Sequence, residues 1–156
     1  MFSKYALNLT IKKLTRKHEN EAKEMILDGL AERFGFLDRS LNPDLTNIIE
    51  AYTNVGSVFL IGCYENFLCC TGALIKENEE TCRIVRMSVH KSYRGRGLAR
   101  KMINELEGYA RQFGYKKIVL ETDNDWISAM NLYKSSNYMI EYIEEGCTHF
   151  YKRLCS

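Results

Sequence analysis

Residues 82–99, CRIVRMSVHKSYRGRGLA, join a strand-like apolar pattern to a turn rich in glycine and arginine, and an amphipathic helix pattern follows at once. Gly95 and Gly97 can adopt backbone conformations that side chains disfavour, and they let a ligand approach the main chain closely. No Asp or Glu occurs between Thr81 and Asn104, whereas seven Lys and Arg residues do. Such a turn leaves unpaired N–H groups at a helix N-terminus, where the helix dipole favours negative charge. The segment predicts a strand–turn–helix unit that can hold an anion.

Two well-known glycine-loop patterns do not fit this turn. A dinucleotide fingerprint requires a third glycine where Arg100 stands, and a P-loop requires Gly-Lys followed by Ser or Thr. An RNA-binding Arg-Gly tract would be repeated, whereas this motif occurs once. The helix pattern from Leu98 also lacks Ser, Thr, Asp or Asn at its N-cap position, so a ligand oxyanion can take the role of the cap. By itself, the turn leaves an anion site and an ordinary β–α turn both open.

Hydrophobic periodicity predicts strands and helices along the rest of the chain. A strand is expected over residues 8–15, and helices over 19–34 and about 45–52, with Gly35 ending the first helix and Asn42 or Asp44 capping the second. Residues 57–90 predict three strands in an antiparallel meander. The later predicted elements are a helix at about 98–113 ended by Gly114, a strand at 115–122, a helix capped within Asp123-Asn124-Asp125 and closed by Asn137, and a hairpin over 138–154 through Gly146. The pattern predicts a mixed sheet with helices packed on it, an α/β (α+β) fold.

Length and composition predict one globular domain over residues 1–156, since 46% of the residues are hydrophobic. A net charge of +2 is too small to favour nucleic acid or a membrane surface as a partner. No apolar run is long enough to cross a bilayer, and the first residues lack the pattern of a signal peptide, which predicts a cytoplasmic protein. The six cysteines lack metal-ligand spacing and are expected to be reduced, mostly buried side chains, with no metal site.

The motif at residues 94–99 has the form Q/R-x-x-G-x-G/A and resembles the acyl-CoA loop of the GNAT superfamily of N-acetyltransferases. Upstream, Arg86-Met87-x-Val89 is similar to that family's fourth strand. Downstream, Leu120-Glu121-Thr122, Ala129-x-x-Leu132-Tyr133 and Asn137-Tyr138 resemble its fifth strand and the helix after it. The resemblance covers nearly the whole chain. It implies a mixed, mostly antiparallel twisted sheet of about seven strands with four helices, in the order β-α-α-β-β-β-α-β-α-β-β.

The resemblance also implies that acetyl-CoA is the cosubstrate. Backbone N–H groups of the 94–99 loop would bind its pyrophosphate, and the pantetheine arm would lie between splayed fourth and fifth strands. An N–H near Val89 would polarise the thioester carbonyl. The implied cofactor-binding residues are Met87, Ser88, Val89, Arg94, Gly95, Arg96, Gly97, Leu98, Ala99, Asn124 and Lys134. Trp126 stands where the family often has an Asn that contacts the pantetheine, so that contact is not carried over.

Tyr133 matches the tyrosine that, in the family, protonates the departing CoA thiolate. The chemistry is reasonable because phenol and thiol have ordinary pKa values of about 10 and about 8.5, so proton transfer between them is not steeply uphill. Without the resemblance, Tyr133 would be interpreted as a core aromatic residue on one helix face. With it, Tyr133 is the predicted catalytic general acid.

The general base is less defined, because Arg83 stands where many family members have a glutamate on the fourth strand. A charged Arg would repel a simple amine, which suggests an acceptor that carries a carboxylate or another anion. Glu121, Glu65 and His90 are further candidate bases, although the sequence favours a solvated or structural role for each. His149 and His18 are assigned surface or packing roles.

Together these observations predict a cytoplasmic N-acetyltransferase that transfers the acetyl group to a primary amine by direct attack in a ternary complex. Residues 34–54 and 139–150 are expected to shape the site for an acceptor, which is a small molecule or a peptide. The alternative is a non-catalytic acyl-CoA-binding sensor or interaction module. The sequence leaves the choice between a monomer and a homodimer open.

Overall fold

The computed structural model describes residues 8–35 and 42–155. Its strands are β1 (Leu9–Lys13), β2 (Val58–Tyr64), β3 (Phe67–Lys76), β4 (Thr81–Val89), β5 (Lys117–Asp123), β6 (Met139–Glu144) and β7 (Cys147–Arg153). Its α-helices are α1 (Arg16–Phe34), α2 (Ile48–Ala51), α3 (Leu98–Gln112) and α4 (Ile127–Ser135), with short 3₁₀ turns at Pro43–Leu45 and Lys91–Tyr93. The predicted order of strands and helices is confirmed. Two predictions fall partly on residues outside those described. The signal-peptide prediction concerns residues 1–7, and the segment 34–54, expected to shape the acceptor site, includes residues 36–41.

The strands form one mixed sheet in the order β1-β2-β3-β4-β5-β7-β6. Neighbouring strands run antiparallel except β4 and β5, which run parallel. This parallel pairing follows from the connection, because α3 carries the chain back across one face of the sheet between the two strands. The last strand, β7, lies between β5 and β6, so β6 is an edge strand.

Helices cover both faces of the sheet, and each face has its own buried cluster. On one face α1 and α2 pack against Phe59, Ile61 and Ala73. On the other, α3 and α4 pack against residues such as Leu60 and Phe150. Because both faces are buried, β2 is an almost continuous apolar run with six buried residues, without the alternation of a half-exposed strand.

Three predicted helix ends are confirmed by positive φ angles, which are +77° at Gly35, +88° at Gly114 and +72° at Asn137. The predicted N-caps are wrong. The N-cap residues of α2 and α4 are Asn47 and Trp126, and neither forms a side-chain cap bond.

The residues predicted as caps have other partners. Asn42 and Asp44 bind Arg86, while Asn124 binds Thr148 and Asp125 binds Arg33. These side chains, which local propensity assigned to helix N-termini, instead form hydrogen bonds with residues distant in the sequence. In the described part of the chain, no helix has the length and apolar character needed to cross a membrane.

Candidate functional site

The sheet opens between β4 and β5. Their parallel ladder covers only three residue pairs and ends at Arg83 and Val119, so β4 continues to Val89 without β5 beside it. Cys70 pairs with Val89, and the adjacent His90 N–H donates to Cys69 O at 2.7 Å. A pair flanked in this way is of the non-hydrogen-bonded type, so the N–H and C=O of Val89 point away from β3 and into the opening.

A β-bulge bends β4 inside this opening. Gly72 of β3 faces both Arg86 and Met87, and Arg86 has a φ of +57°, which is uncommon for a residue with a side chain. Thr71 Oγ1 donates to Arg86 O at 2.7 Å and so fixes the bulge. A Cβ at Gly72 would lie 2.6 Å from Met102 Cγ and 2.9 Å from Met87 Sδ, so only glycine fits there. A glycine inside a strand pattern is a signal for such a bulge.

The side chain of Arg86 reaches the segment before α2. Its guanidinium donates to both carboxylate oxygens of Asp44, at 2.7 and 3.0 Å, and to Asn42 Oδ1 at 2.9 Å. Tyr52 Oη donates to the same carboxylate at 2.7 Å. Burial acts to raise the pKa of Asp44, but the hydrogen bonds from Arg86 and Tyr52 outweigh it and lower the pKa. Burial and the Asp44 carboxylate together raise the pKa of Tyr52.

A cavity of about 490 Å³ lies beside this cluster, between α2 and strands β3 and β4. Its lining residues are Asp44, Ala51, Tyr52, Ile75, Val85 and Arg86. The cavity is therefore on the α1 and α2 face of the sheet and adjoins the point where β4 leaves β5.

The loop after β4 ends in an α-helix with no side-chain cap. Gly97 is the N-cap of α3, with φ of +78°, and Gly95 has φ of +79°. A Cβ on either glycine would meet no atom within 4 Å, so the space beside the loop is open. The first N–H groups of α3 precede its first intrahelical bond, which Lys101 N–H makes to Gly97 O at 3.2 Å. Uncapped N–H groups beside open space form a site for an anion.

The arginine side chains of this loop also contact neighbouring protein groups. Arg94 donates to Val89 O at 3.2 Å and to the carboxylate of Glu32 in α1. Arg96 stacks over the ring of Tyr93 at 5.0 Å. Arg100 of α3 donates to Ser135 Oγ at 2.6 Å and so joins α3 to α4.

The last turn of α1 lies across the opening. Arg33 Nη2 is 2.6 Å from Asp125 Oδ1, and Arg33 also stacks over Trp126 at 5.2 Å. The neighbouring residue Glu32 binds Arg94, as described above. One helix end thus contacts the loop after β4 and the loop after β5.

Tyr133, the predicted general acid, lies in the core on the α3 and α4 face and is 7% exposed. Its ring packs against Phe150 at 5.9 Å and against Tyr138 at 6.1 Å. Burial raises the pKa of Tyr133 to about 12, so the phenol is protonated at neutral pH. Tyr138 is fixed in turn by a 2.8 Å bond from its hydroxyl to Glu107.

Three predicted cofactor-binding residues lie at the periphery of the opening. Asn124 follows β5, and its Oδ1 accepts from Thr148 Oγ1. Lys134 is exposed on α4. Ser88 faces α1, where a Cβ on Gly29 would lie 3.5 Å from its Oγ.

Of the candidate bases, Glu65 is exposed in the β2–β3 turn, and His90 is held beside Phe67 and Ser92. Arg83 and Glu121 lie together. Arg83 Nε donates to Glu77 Oε1 at 2.7 Å, and Arg83 Nη1 is 3.6 Å from Glu121 Oε1. One guanidinium thus faces two carboxylates, which removes the physical reason to expect an anionic acceptor.

The sequence analysis assigned His149 a surface or packing role and did not place it beside Glu121. Its Nε2 lies 3.7 Å from Glu121 Oε2, because β5 and β7 pair in a register that places the two residues opposite each other. Its ring stacks on Tyr142 at 4.2 Å with 12° between the planes. No local pattern could have revealed this pair, since it depends on β7 entering the sheet beside β5.

The cysteines are free, and four of the six (Cys63, Cys69, Cys70 and Cys82) are buried. Burial raises the pKa of Cys70 and Cys82 to about 12, which makes both thiols poor nucleophiles. Among the described residues, no group of three or more His, Cys, Asp or Glu side chains is placed to hold a metal ion.

Comparison with known proteins places this geometry in context. The sequence model of the acetyltransferase (GNAT) family matches residues 16–138. Human N-acetyltransferase 8B is 29% identical over 109 residues, which are 66% of this chain and 48% of that protein. The chain thus spans about half the length of the curated relatives it matches.

Solved structures share the fold. A GNAT-family acetyltransferase from Staphylococcus aureus Mu50 superposes with a TM-score of 0.84 at 23% identity, covering 94% of this chain and 99% of the other. The structure of yncA from Salmonella typhimurium, solved with its cofactor acetyl-CoA, has a TM-score of 0.79 at 16% identity and covers 95% of each chain.

Proposed function

Because the chain belongs to the GNAT family of acetyltransferases, we propose that it transfers an acetyl group from acetyl-CoA to a primary amine by direct attack in a ternary complex. The observation that carries the proposal is the opening of the sheet between β4 and β5 beside the uncapped N-terminus of α3. A thioester is already activated, so the protein has mainly to place it beside an amine and stabilise the developing charge.

The cofactor's pyrophosphate binds the backbone of Arg94–Ala99. Leu98 and Ala99 open α3 and present their N–H groups without an intrahelical partner, and the helix dipole favours negative charge there. Gly95 and Gly97 keep the space beside the loop open. The guanidinium of Arg96 and the ammonium of Lys134 add positive charge around the phosphates.

The pantetheine arm lies in the opening and pairs with β4 along Met87, Ser88 and Val89. The Val89 N–H points away from β3 and supports this placement, since it can donate to an added strand-like ligand. The Val89 N–H then donates to the thioester carbonyl oxygen and stabilises the oxyanion that forms on attack. Asn124 borders the other side of the opening at the end of β5.

Tyr133 protonates the sulfur of the departing CoA. Its raised pKa keeps the hydroxyl protonated, and the same apolar surroundings disfavour a free thiolate, so the pKa values of acid and leaving group rise together. The hydroxyl therefore meets a thiolate that is more basic than it would be in water.

The acceptor binds on the α1 and α2 face, where the 490 Å³ cavity lies. The two carboxylates of Glu77 and Glu121 carry more negative charge than the single guanidinium of Arg83 carries positive charge. This net negative charge favours a cationic acceptor over an anionic one. Acceptors that fit this description include a protein N-terminus, a lysine side chain and a polyamine.

A panel of amines tests the function. The protein is incubated with acetyl-CoA and each amine, thiol release is followed with a chromogenic disulfide, and acetylated product is identified by mass spectrometry. We expect CoA release that depends on one class of amine. Tight acetyl-CoA binding without release for any amine would instead support the acyl-CoA-binding module, and no binding at all would overturn both functions.

A further inference from the structure

A row of polar side chains crosses the sheet on the α1 and α2 face, from β4 to β6. Its members are Glu77 before β4, Arg83 on β4, Glu121 on β5, His149 on β7 and Tyr142 on β6. The strand register explains the row, because Glu121 pairs with His149 and His149 pairs with Tyr142. Glu77 and His149 lie 72 positions apart along the chain, so only the fold assembles the row.

Direct hydrogen bonds do not close the centre of this row. The two carboxylate oxygens of Glu121 lie 3.6 Å from Arg83 Nη1 and 3.7 Å from His149 Nε2, and both distances are too long for direct hydrogen bonds. Arg83 Nη1 is itself buried without a hydrogen-bond partner in the described structure. The Glu121 side chain is 51% exposed, so a ligand can reach it. The Glu121 carboxylate and His149 Nε2 can therefore accept hydrogen bonds from a ligand that reaches this exposed edge.

The row lies where the sheet opens. The β4–β5 ladder ends at Val119, and Glu121 follows two residues later on the same face of β5. Its level in the sheet matches Val85 on β4, directly before the bulge at Arg86. The Glu121–His149 pair is therefore beside the part of the opening where the proposed function places the thioester.

The row and the general acid are on opposite faces of the sheet. His149 and Phe150 are consecutive in β7 and so point to opposite faces. Phe150 packs against Tyr133 at 5.9 Å, whereas His149 packs against Tyr142. The row and Tyr133 thus lie on opposite sides of a thioester held in the opening, as separate roles for a base and an acid require.

We infer that His149 is the general base for a cationic primary amine and that Glu121 binds the ammonium group beside it. The inference rests on the proposed function and deepens it. Stacking on Tyr142 fixes the imidazole, which is 17% exposed, with Nε2 directed toward Glu121. An ammonium group in the gap donates one N–H to the Glu121 carboxylate and another to His149 Nε2.

The proton balance follows from these contacts. One N–H bond of the ammonium breaks and its proton joins His149 Nε2, while the freed electron pair of nitrogen forms the bond to the thioester carbon. When the tetrahedral intermediate collapses, the C–S bond breaks and sulfur takes the proton of Tyr133. The second proton lost by nitrogen passes to solvent, from which Tyr133 is reprotonated, and His149 releases its proton after the amide leaves.

Several charged groups set the environment of the imidazolium that forms. The groups that face it or its partner are Glu121 and Asp123 from β5, Arg83 from β4, Glu77 from the turn before β4, Tyr142 from β6 and Arg33 from the end of α1. The carboxylate of Glu121 is the nearest of these charges, with Oε2 3.7 Å from His149 Nε2.

The test compares pH profiles of kcat/KM for the best amine of the panel. Imidazole changes charge between about pH 5 and 8, so the wild type is expected to lose rate on acidification in that range. For His149→Asn we expect a fall of about 10²-fold at pH 7. Its rate should then rise about tenfold per pH unit towards the ordinary pKa of an alkylamine, about 10.4, because solvent must supply the free amine.

Matched variants make the result specific. His90→Asn keeps an acceptor for Ser92 N–H and removes the other imidazole near the opening, so its profile should follow the wild type. Glu121→Gln, at a half-exposed position, should raise the KM for the amine while leaving the acetyl-CoA dissociation constant unchanged. Calorimetric binding of acetyl-CoA and the melting temperature establish that each variant is folded.

The outcomes separate the two proposals. A wild type that acetylates amines while His149→Asn or His149→Gln gives a superimposable pH profile overturns the role of His149 and leaves the enzymatic function standing. An unchanged amine KM in Glu121→Gln overturns the ammonium site. A wild type that acetylates no amine overturns the proposed function, and this inference with it.

Discussion

The guanidinium of Arg33 lies 2.6 Å from Oδ1 of Asp125, so the last turn of α1 is joined to the loop after β5. The preceding residue, Glu32, binds Arg94 in the loop after β4. The helix end therefore holds together the two loops between which the sheet opens. The contacts described between the helix end and the two loops are made by side chains.

Removing the first contact tests this bridge. We expect Arg33→Ala to raise the dissociation constant of acetyl-CoA three- to tenfold, because both the ion pair with Asp125 and the stacking on Trp126 are lost. Asn20→Ala, on an exposed part of the same helix, is the control. Equal calorimetric affinities for the two variants would show that the helix end does not support the site.

Tyr133→Phe removes the proposed acid and keeps the ring that packs on Phe150. We expect kcat to fall about 10²-fold while the acetyl-CoA dissociation constant stays within twofold, since general acid–base contributions are commonly of that size. Tyr109→Phe, on α3, serves as the control. Steady-state kinetics of the two variants measure this difference in kcat, and unaltered turnover in Tyr133→Phe would rule out the acid role.

Gly95 and Gly97 are required because of their positive φ angles and not because a side chain would clash with neighbouring atoms. Gly97→Ala places a side chain at φ of +78°, which we expect to lower the free energy of unfolding by about 1–2 kcal/mol and to weaken acetyl-CoA binding. Gly108→Ala, inside α3 and also without neighbours for a Cβ, should instead stabilise the protein by about 0.5–1 kcal/mol. Urea unfolding of both variants gives the comparison; a destabilised Gly108→Ala would contradict it.

A buried ion pair fixes the neighbours of Tyr133. Glu107 is 5% exposed and accepts from Lys152 at 3.0 Å and from Tyr138 at 2.8 Å. Glu107→Ala leaves the Tyr138 hydroxyl without its acceptor and leaves the Lys152 ammonium without its carboxylate, with Ser136 O as its remaining acceptor, so we expect a loss of about 3 kcal/mol in the free energy of unfolding. Glu105→Ala, exposed on the same helix, should stay within about 0.5 kcal/mol of the wild type. Similar losses for the two variants would contradict this account.

Acid titration tests the Arg86–Asp44 pair. Because the folded protein lowers the pKa of Asp44, the pair contributes stability above the ordinary aspartate pKa of about 3.9 and loses it as the pH falls through the lower folded value. We expect Asp44→Asn to be less stable than the wild type by about 1 kcal/mol at pH 7. The difference in unfolding free energy should shrink below pH 4. A difference that is constant from pH 7 to pH 3 would show that the charge of Asp44 contributes nothing.

Local residue patterns predicted the β–α turn, the helix ends and the order of elements, because each depends on neighbours in the chain. Gly35, Gly114 and Asn137 all have the positive φ that their positions indicated. The open loop at 94–99 could likewise be predicted from its own glycines and from the absence of an N-cap residue before α3.

Contacts between residues that are distant in the chain could not be predicted from the sequence. Asn42 and Asp44 look like helix caps, yet Arg86 binds both, through a bulge that only Gly72 hinted at. The pairing of Glu121 with His149 depends on strand order, since β7 lies between β5 and β6. Neither contact leaves a periodic signal, so the acceptor side was the least predictable part of the site.

The short β4–β5 ladder has one more consequence. In the proposed function it lets acetyl-CoA enter the opening from the Arg94–Ala99 loop while the amine approaches from the α1 and α2 face. Neither substrate then has to leave before the other binds, which is what direct transfer in a ternary complex requires.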